Sequence, residues 1–314
     1  MKNTIGKLLR GSVVAVCLFV ATNLMAEDLP GVAKPFTRVE IDQMFKSMRT
    51  PIAPRHLVGN IYYVGTEGIS SFLISTSDGL ILIDSGFESM VPGILNGVKA
   101  LGFEPRNIKY LLSSHAHIDH VGGHALMQKL TGAKIIASAA DARIIESGGV
   151  DDFIPFPRDT ISYTPVKVDR IVANGGHVQL GDTVLTAVLT PCHTRGATTW
   201  TTQVRDGDKT YNVVFFSSAT INRGTSLLAR PAYPGIVDDY RSTIQRLKDL
   251  PCDIFFAPHN QQFGMSAKFA KQDQDPDANP FVDPEGWRNL IANVESMFNK
   301  QLEAEQKGLR SAAQ

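Results

Sequence analysis

The sequence predicts an α/β fold with a metal site at its strand ends, on three observations. From about residue 92 onward, short apolar runs alternate with helical periodicities. Three such runs end in histidine-bearing loops: Ser113-Ser114-His115-Ala116-His117-Ile118-Asp119-His120, Thr190-Pro191-Cys192-His193 and Ala257-Pro258-His259-Asn260. No linker composition divides residues 27–314, so that stretch reads as one domain of two similar halves.

The chain begins with a segment outside the fold. Lys2, Lys7 and Arg10 form a basic start, residues 13–20 are apolar, and Met25-Ala26 precedes acidic, polar sequence. Residues 1–26 therefore read as a secretory signal peptide cleaved after Ala26, which places the mature chain in the periplasm or outside the cell. A membrane anchor is the alternative, but about twelve apolar residues are too few to cross ~30 Å of hydrocarbon. Val16 before Cys17 argues against a lipid anchor at that cysteine. Once Cys17 leaves, Cys192 and Cys252 remain, and one bridge between them is open.

Residues 27–57 look irregular apart from a short helix at 39–48. Runs at 60–65, 69–76 and 79–84 are separated by Thr66-Glu67-Gly68 and Ser77-Asp78-Gly79, the pattern of an antiparallel meander. A helix follows, with Pro92 near its start, Ile94, Leu95, Val98 and Leu101 on one face and Gly102 as its stop. Residues 107–112 form a strand leading into the His-rich loop, 121–130 a helix and 132–138 a strand. Gln179 to Gly181 make a turn. Strands are then expected at 183–189, 200–204 and 212–216, the last two joined by Asp206-Gly207-Asp208. A helix at 238–250 starts from Asp238 or Asp239 as cap, and 253–256 is a strand. Residues 271–280 read as a polar loop. The last helix starts at Asp283-Pro284 and buries Trp287, Leu290, Ile291, Val294, Met297 and Phe298, with a frayed polar tail.

Charge narrows the function. Thirty-one Lys and Arg balance 31 Asp and Glu, for a formal net charge of zero. A nucleic-acid partner, which needs a basic face, is not supported.

The His-rich loop carries the chemistry. In an extended segment, side chains two apart share a side, so His115 and His117 can meet one ion. Asp119 and His120 lie where the chain turns into a helix and can aim at a second. Imidazole and carboxylate donors suit Zn²⁺. Gly122-Gly123 allows the turn. A catalytic zinc usually takes three protein ligands plus water, so each pair lacks one, and His193 and His259 supply the two. His124 reads as a non-ligand; His56 and His177 read as surface residues.

These residues resemble the metallo-β-lactamase superfamily, and within it subclass B3. The resemblance runs from Tyr62-Tyr63-Val64-Gly65-Thr66 through Leu82-Ile83-Asp84-Ser85-Gly86, the His-x-His-x-Asp-His loop and Thr190-Pro191-Cys192-His193-Thr194 to His259. It implies an αββα sandwich, two facing mixed sheets with helices outside, and two zinc ions at one edge. It assigns His115, His117 and His193 to the first ion, and Asp119, His120 and His259 to the second. Many members place a metal-bridging Asp after the strand that follows the third His. Here Val214-Phe215-Phe216-Ser217-Ser218-Ala219-Thr220 contains none. The first subclass of β-lactamases has a Cys there and the second replaces the first His by Asn, whereas a Ser with a His like His120 marks the third. Ser217 or Ser218 holds that position, Ser218 being favoured, and its hydroxyl is expected to hold substrate or water. Asp84 is expected to support the ligand loop through hydrogen bonds.

There are departures. Cys192 stands for a family Gly and Arg195 for a Pro. Cys192 could be oxidised, perturb the loop or pack inward, the last being expected. Arg195 is either a cation at the site mouth or a solvated surface residue. The last helix has no Cys, so a bridge that some relatives make from a position like Cys252 is absent.

The resemblance implies a monomeric periplasmic enzyme that hydrolyses the amide bond of β-lactam antibiotics by a metal-activated hydroxide and so confers resistance. Asp119 would orient the nucleophile and shuttle its proton. The alternatives are a related di-zinc hydrolase of lactones or thioesters, and a zinc-binding protein without activity.

Overall fold

The structure, a computed structural model, describes residues 29–275 and 279–312. The leader at residues 1–26 lies outside the described residues. The chain enters through helix α1 (Arg38–Ser47), whose start is a capping box: Thr37 Oγ1 accepts from the Glu40 N–H, and the Glu40 carboxylate accepts from the Thr37 N–H. Strands β1 (Arg55–Val58), β2 (Ile61–Tyr63), β3 (Phe72–Thr76) and β4 (Gly79–Ile83) follow as an antiparallel meander. After helix α2 (Val91–Ala100) the connections become crossovers. Strands β5 (Ile108–Leu112), β6 (Lys134–Ser138) and β7 (Arg170–Val172) add in parallel, separated by helices α3 (Ile118–Val121), α4 (His124–Thr131), α5 (Ala139–Glu146) and α6 (Arg158–Ile161). The first sheet thus runs β1 to β7 in chain order.

The second sheet is built from β8 (His177–Leu180), β9 (Thr183–Leu189), β10 (Thr198–Asp206) and β11 (Lys209–Phe215), all antiparallel. Helix α7 (Ile236–Asp249) crosses back to β12 (Ile254–Phe256), which pairs parallel with β11. Helices α8 (Met265–Gln274) and α9 (Pro284–Ala312) close the chain.

The strand period of two sorts residues into layers. Phe72, Ile74, Ile81, Ile83, Leu112 and Ile136 belong to the core shared with the second sheet, where they join Leu185, Ala187, Trp200, Val213 and Phe256. Their neighbours in sequence, Leu73, Leu80, Leu82, Leu111 and Ile135, point the other way and pack with Ile94 and Val98 of α2 and Met127 of α4. The Phe72 ring stands 5.3 Å from that of Phe215 and 5.1 Å from that of Phe256, which brings the two sheets face to face. Phe255, on the outer face of β12, meets Trp287 of α9 at 5.8 Å. The architecture is the expected αββα sandwich.

Several expected elements are redrawn. The helix expected at 121–130 is broken into α3 and α4 at Gly122-Gly123. A Cβ on Gly123 would stand 2.6 Å from Val91 Cγ2 and 2.8 Å from the Ser85 carbonyl, so α2 and the Asp84–Gly86 turn come too close for any other residue. Helix α7 is entered through Gly235, at φ 88°, and neither Asp238 nor Asp239 is its cap. Both acids lie in the first turn, where they face the positive end of the helix dipole. The stretch read as a loop from residue 271 begins inside α8, and the tail read as frayed is helical to Ala312. On α9 Trp287, Ile291, Val294 and Phe298 are buried as expected, whereas Leu290 and Met297 are half-buried. Cys192 and Cys252 are both free, and Cys192 packs inward with no exposed surface.

Candidate metal centre

The cluster forms where β5, β9, β11 and β12 end at the same edge of the sandwich. The chain leaving β5 is irregular and buried, so its polar backbone needs partners. Trp200 Nε1 donates to the Ser113 carbonyl at 2.9 Å, and the Thr198 N–H to the Ser114 carbonyl at 2.8 Å. Asp84 takes the Ser114 N–H on Oδ1 at 2.7 Å and the Ser114 hydroxyl on Oδ2 at 2.6 Å. Asp84 itself sits at φ 61°, a conformation a non-glycine residue adopts only where its surroundings hold it. The Tyr163 hydroxyl donates to the Ala116 carbonyl at 2.9 Å. The His120 carbonyl accepts from the Ser85 and Gly86 N–H groups. The ligand loop is therefore held by main-chain contacts before any histidine ring is considered.

Ring orientation is set by the same kind of contact. His115 Nδ1 lies 2.8 Å from the Ser217 carbonyl and His193 Nδ1 lies 2.7 Å from the Thr220 carbonyl. A carbonyl can only accept, so each Nδ1 carries the proton and each Nε2 is left with its lone pair. His120 Nδ1 faces Asp84 Oδ2 at 3.2 Å, so it too carries a proton and the ring turns its Nε2 toward the cluster. The Nε2 atoms of His115 and His120 are buried and have no hydrogen-bond partner. Buried polar atoms without partners are costly, and lone pairs converging on one place fit a cation.

The donor atoms form two overlapping groups, His115 with His117 and His193, and His115 with Asp119 and His120. Within each group they lie within 4.8 Å of one another. His259 stands beside the second group, its Nε2 3.7 Å from Asp119 Oδ2 and its ring centroid 5.0 Å from that of His120. All six residues expected as ligands thus meet at one edge. His117 Nε2 lies 3.0 Å from Asp152 Oδ2 and His120 Nε2 3.3 Å from Asp119 Oδ2, each beside a carboxylate without forming a hydrogen bond to it.

Burial and mutual repulsion keep most of these rings neutral. Burial, then the charge of His120, holds His115 far below the ordinary histidine value. Burial, then His117, does the same to His193. Burial and His120 bring His259 down to about 4. For His120 burial acts downward, but Asp119 and Asp84 outweigh it and push it up to about 10. Burial would raise Asp119, yet His120 outweighs it and holds the carboxyl below the usual carboxylate range. A metal ion binds neutral imidazole and ionised carboxylate, so the metal-free cluster is ready at His115, His193, His259 and Asp119, whereas binding at His120 would displace a proton.

A cleft opens over the cluster. His117, Asp119, His193 and His259 form its floor. Met44 and Phe45 of α1 and Met48 just after it make one wall, and Ile154, Phe156, Ile161 and Tyr163 another. Thr220 and Asn222 supply a polar side, and no Lys or Arg lines it among the described residues.

Ser217 and Ser218 are both fully buried. The Ser217 hydroxyl pairs with Thr190 Oγ1 at 2.7 Å and Thr199 Oγ1 at 3.2 Å, and that of Ser218 with Thr220 Oγ1 at 3.3 Å. Neither serine lines the cleft; Thr220, two residues further on, does. Thr220, Asn222, Asp152 and the α1 residues escaped the sequence reading. Only Thr220 and Asn222 left a trace there, as polar residues just beyond an apolar strand. Arg195 is exposed and its guanidinium lies 5.2 Å from the Tyr233 ring, outside the cleft lining. His124 is buried between Ser85 Oγ at 2.7 Å and Ser113 Oγ at 3.1 Å and is not among the donor groups, while His56 and His177 are exposed.

Two mixed sheets face to face, with a buried histidine–aspartate cluster at one edge, define a metal-binding protein of the αββα class. The model of the metallo-beta-lactamase superfamily matches residues 64–259, and the chain belongs to that superfamily. The fold is similar to that of a native metallo-β-lactamase from Legionella gormanii, at 40% identity and TM-score 0.81, over 83% of this chain and 99% of that one. A subclass B3 metallo-β-lactamase of Bradyrhizobium japonicum is similar at 38% identity and TM-score 0.77, over 84% of this chain and 98% of that one. Among curated relatives, an N-acyl homoserine lactonase from a Bacillus species is 34% identical over 76 residues, 17% of this chain and 30% of that one. The curated relatives are matched over only part of their length, 54% in one case and 39% in another.

Proposed function

We propose that the chain hydrolyses the amide bond of β-lactam antibiotics with two zinc ions. The observation that carries this reading is the donor set. Six residues converge, the buried Nε2 atoms of His115 and His120 lack partners, and the chain beyond β11 offers no carboxylate between Phe215 and Thr220. Likeness over nearly the whole length of the Legionella enzyme supports it. His115, His117 and His193 would hold one ion, and Asp119, His120 and His259 the other. Zinc bound there supplies Lewis acidity, which activates water near neutral pH and polarises a carbonyl.

The chain's own groups do the rest. Asp119 is ionised, with Oδ2 3.3 Å from His120 Nε2, and is the carboxylate on the cleft floor that would orient a water and relay its proton. As water oxygen bonds to the lactam carbon and the C–N bond breaks, that proton passes to the departing nitrogen. The apolar walls from α1 and residues 154–163 exclude bulk water and take the substrate's apolar substituents. Thr220 and Asn222 offer a hydroxyl and an amide to its carboxylate.

A second reading, a hydrolase of lactones or thioesters, is favoured because no lysine or arginine among the described residues lines the cleft to meet an anionic substrate. One assay separates the two. The purified protein is incubated with a carbapenem, a cephalosporin and an N-acyl homoserine lactone, with and without a chelator. Opening of the β-lactams that the chelator abolishes is the expected result. A lactone opened while both β-lactams survive selects the second reading. No turnover with metal bound rejects both.

Among the described residues no helix is long and apolar enough to cross a membrane. We place the enzyme in the periplasm, on the leader at residues 1–26, and propose that it is a monomer. The mass of the exported chain and its elution volume test both points.

A further inference from the structure

The segment between Ser218 and Gly235 contains no helix or strand, yet it carries Thr220 and Asn222 into the cleft. A loop of this length needs anchors if it is to present a constant surface. Its first part has them: the Thr220 carbonyl accepts from His193 Nδ1 at 2.7 Å and from the Tyr240 hydroxyl at 3.1 Å. Arg223 reaches α1, pairing with Glu40 at 3.3 Å and lying 4.5 Å from the Phe36 ring. Asn222 and Thr225 close a turn through the Thr225 N–H and the Asn222 carbonyl at 3.0 Å.

The next anchor comes from far away in sequence. Glu305, near the end of α9, is fully buried, and its carboxylate is the acceptor for the whole following turn. It takes the N–H groups of Leu227 and Leu228 at 2.8 Å each and of Ala229 at 3.2 Å, and the Ser226 hydroxyl at 2.9 Å. Gln301, one turn earlier on the helix, donates to the same carboxylate at 2.9 Å. Ser226 in turn accepts the Arg230 N–H at 3.1 Å. A buried charge is tolerated only when its lone pairs are filled, and these are.

We propose that Glu305 is a positioning residue for the substrate-facing loop, holding residues 226–229 so that Thr220 and Asn222 keep their place in the cleft. The last turns of the C-terminal helix thereby determine how tightly substrate is bound, without touching it. The inference rests on the proposed hydrolase reading for what the loop contacts, but not for the anchoring itself.

Glu305→Ala and Glu305→Gln test it, each purified with metal bound. Amide hydrogen exchange across residues 220–233 reports anchoring, and steady-state turnover of a chromogenic cephalosporin reports its consequence. In Glu305→Ala the amides of 227–229 are expected to lose protection while those of β10 and β11 keep theirs. KM is expected to rise about tenfold with kcat changed less than about threefold, since the loop binds substrate but holds no reacting atom. Glu305→Gln, which keeps one acceptor oxygen, is expected to fall between. Wild-type protection of 227–229 in Glu305→Ala overturns the proposal. So does lost protection with KM unchanged, which would make Glu305 a stabilising residue only. If Glu305→Ala does not fold, Glu305→Gln gives the same decision from the same two readouts. If the wild-type chain leaves β-lactams intact but the exchange result holds, the hydrolase reading fails and the anchor stands.

Discussion

His115 and Ser217, 102 positions apart, are joined by a hydrogen bond from His115 Nδ1 to the Ser217 carbonyl at 2.8 Å. The bond aims His115 Nε2 into the donor cluster, so a residue just beyond β11 contributes its backbone to the site. Its hydroxyl serves Thr190 and Thr199 instead.

With both serines fully buried, the residue that lines the cleft here is Thr220, and its hydroxyl is the one expected to meet substrate. Thr220→Val is expected to raise KM for a cephalosporin about tenfold, the worth of one hydrogen bond lost to a charged group. Ser218→Ala is expected to leave KM within about twofold. Steady-state kinetics decide, and the reverse ranking would return the role to Ser218.

Removal of a ligand should show first in metal content. His117→Ala is expected to lose metal from the group it shares with His115 and His193, and activity with it. Elemental analysis after dialysis reads the stoichiometry. Unchanged zinc content and unchanged turnover would sink the ligand assignment.

Asp84 is buried and does not line the cleft, yet it receives Ser114 twice and faces His120 Nδ1. Asp84→Asn is expected to weaken metal binding by roughly 10–100-fold, the usual consequence of losing the group that orients a ligand. Competition with a fluorescent chelator measures it. Affinity equal to wild type would leave Asp84 as a backbone prop alone.

Trp200 is fully buried, with its Nε1–H on the Ser113 carbonyl. Trp200→Phe keeps most of the ring but leaves that carbonyl unpaired, at a cost of about 1–3 kcal/mol. Thermal unfolding of the metal-free protein should show it, because the loss does not depend on the ligands.

Glu305 couples the loop to pH. Burial alone would raise its pKa, but hydrogen bonds from Gln301 and from the Leu227 and Leu228 N–H groups outweigh that and hold it below its ordinary 4.5. A carboxyl lowered by folding contributes stability that is complete above its unfolded value and disappears as pH falls through the folded one. The unfolding-temperature gap between wild type and Glu305→Gln should therefore be constant at neutral pH and close as the solution falls below about 4.5. A gap that widens in acid would mean the sign is wrong.

What the sequence determined by itself was local. His115, His117, Asp119 and His120 lie within one turn of chain, so their spacing alone announces a metal site. The apolar alternation of residues 72–83 specifies strands whose two faces differ. The two strand-end histidines, His193 and His259, are legible because each follows a proline at the end of an apolar run. Where the elements were marginal, the sequence was mute. Strand β1 is four residues long and bulged between His56 and Val58, and α5 and α8 are short, so each exists mainly through what it packs against. Tertiary structure alone decided that Thr220 rather than Ser218 lines the cleft, that α1 supplies a wall of it, and that Glu305 ends up beneath residues 226–229. Each of these depends on contacts between segments far apart in the chain, and a side chain's direction there follows from packing and hydrogen bonding rather than from its neighbours in sequence.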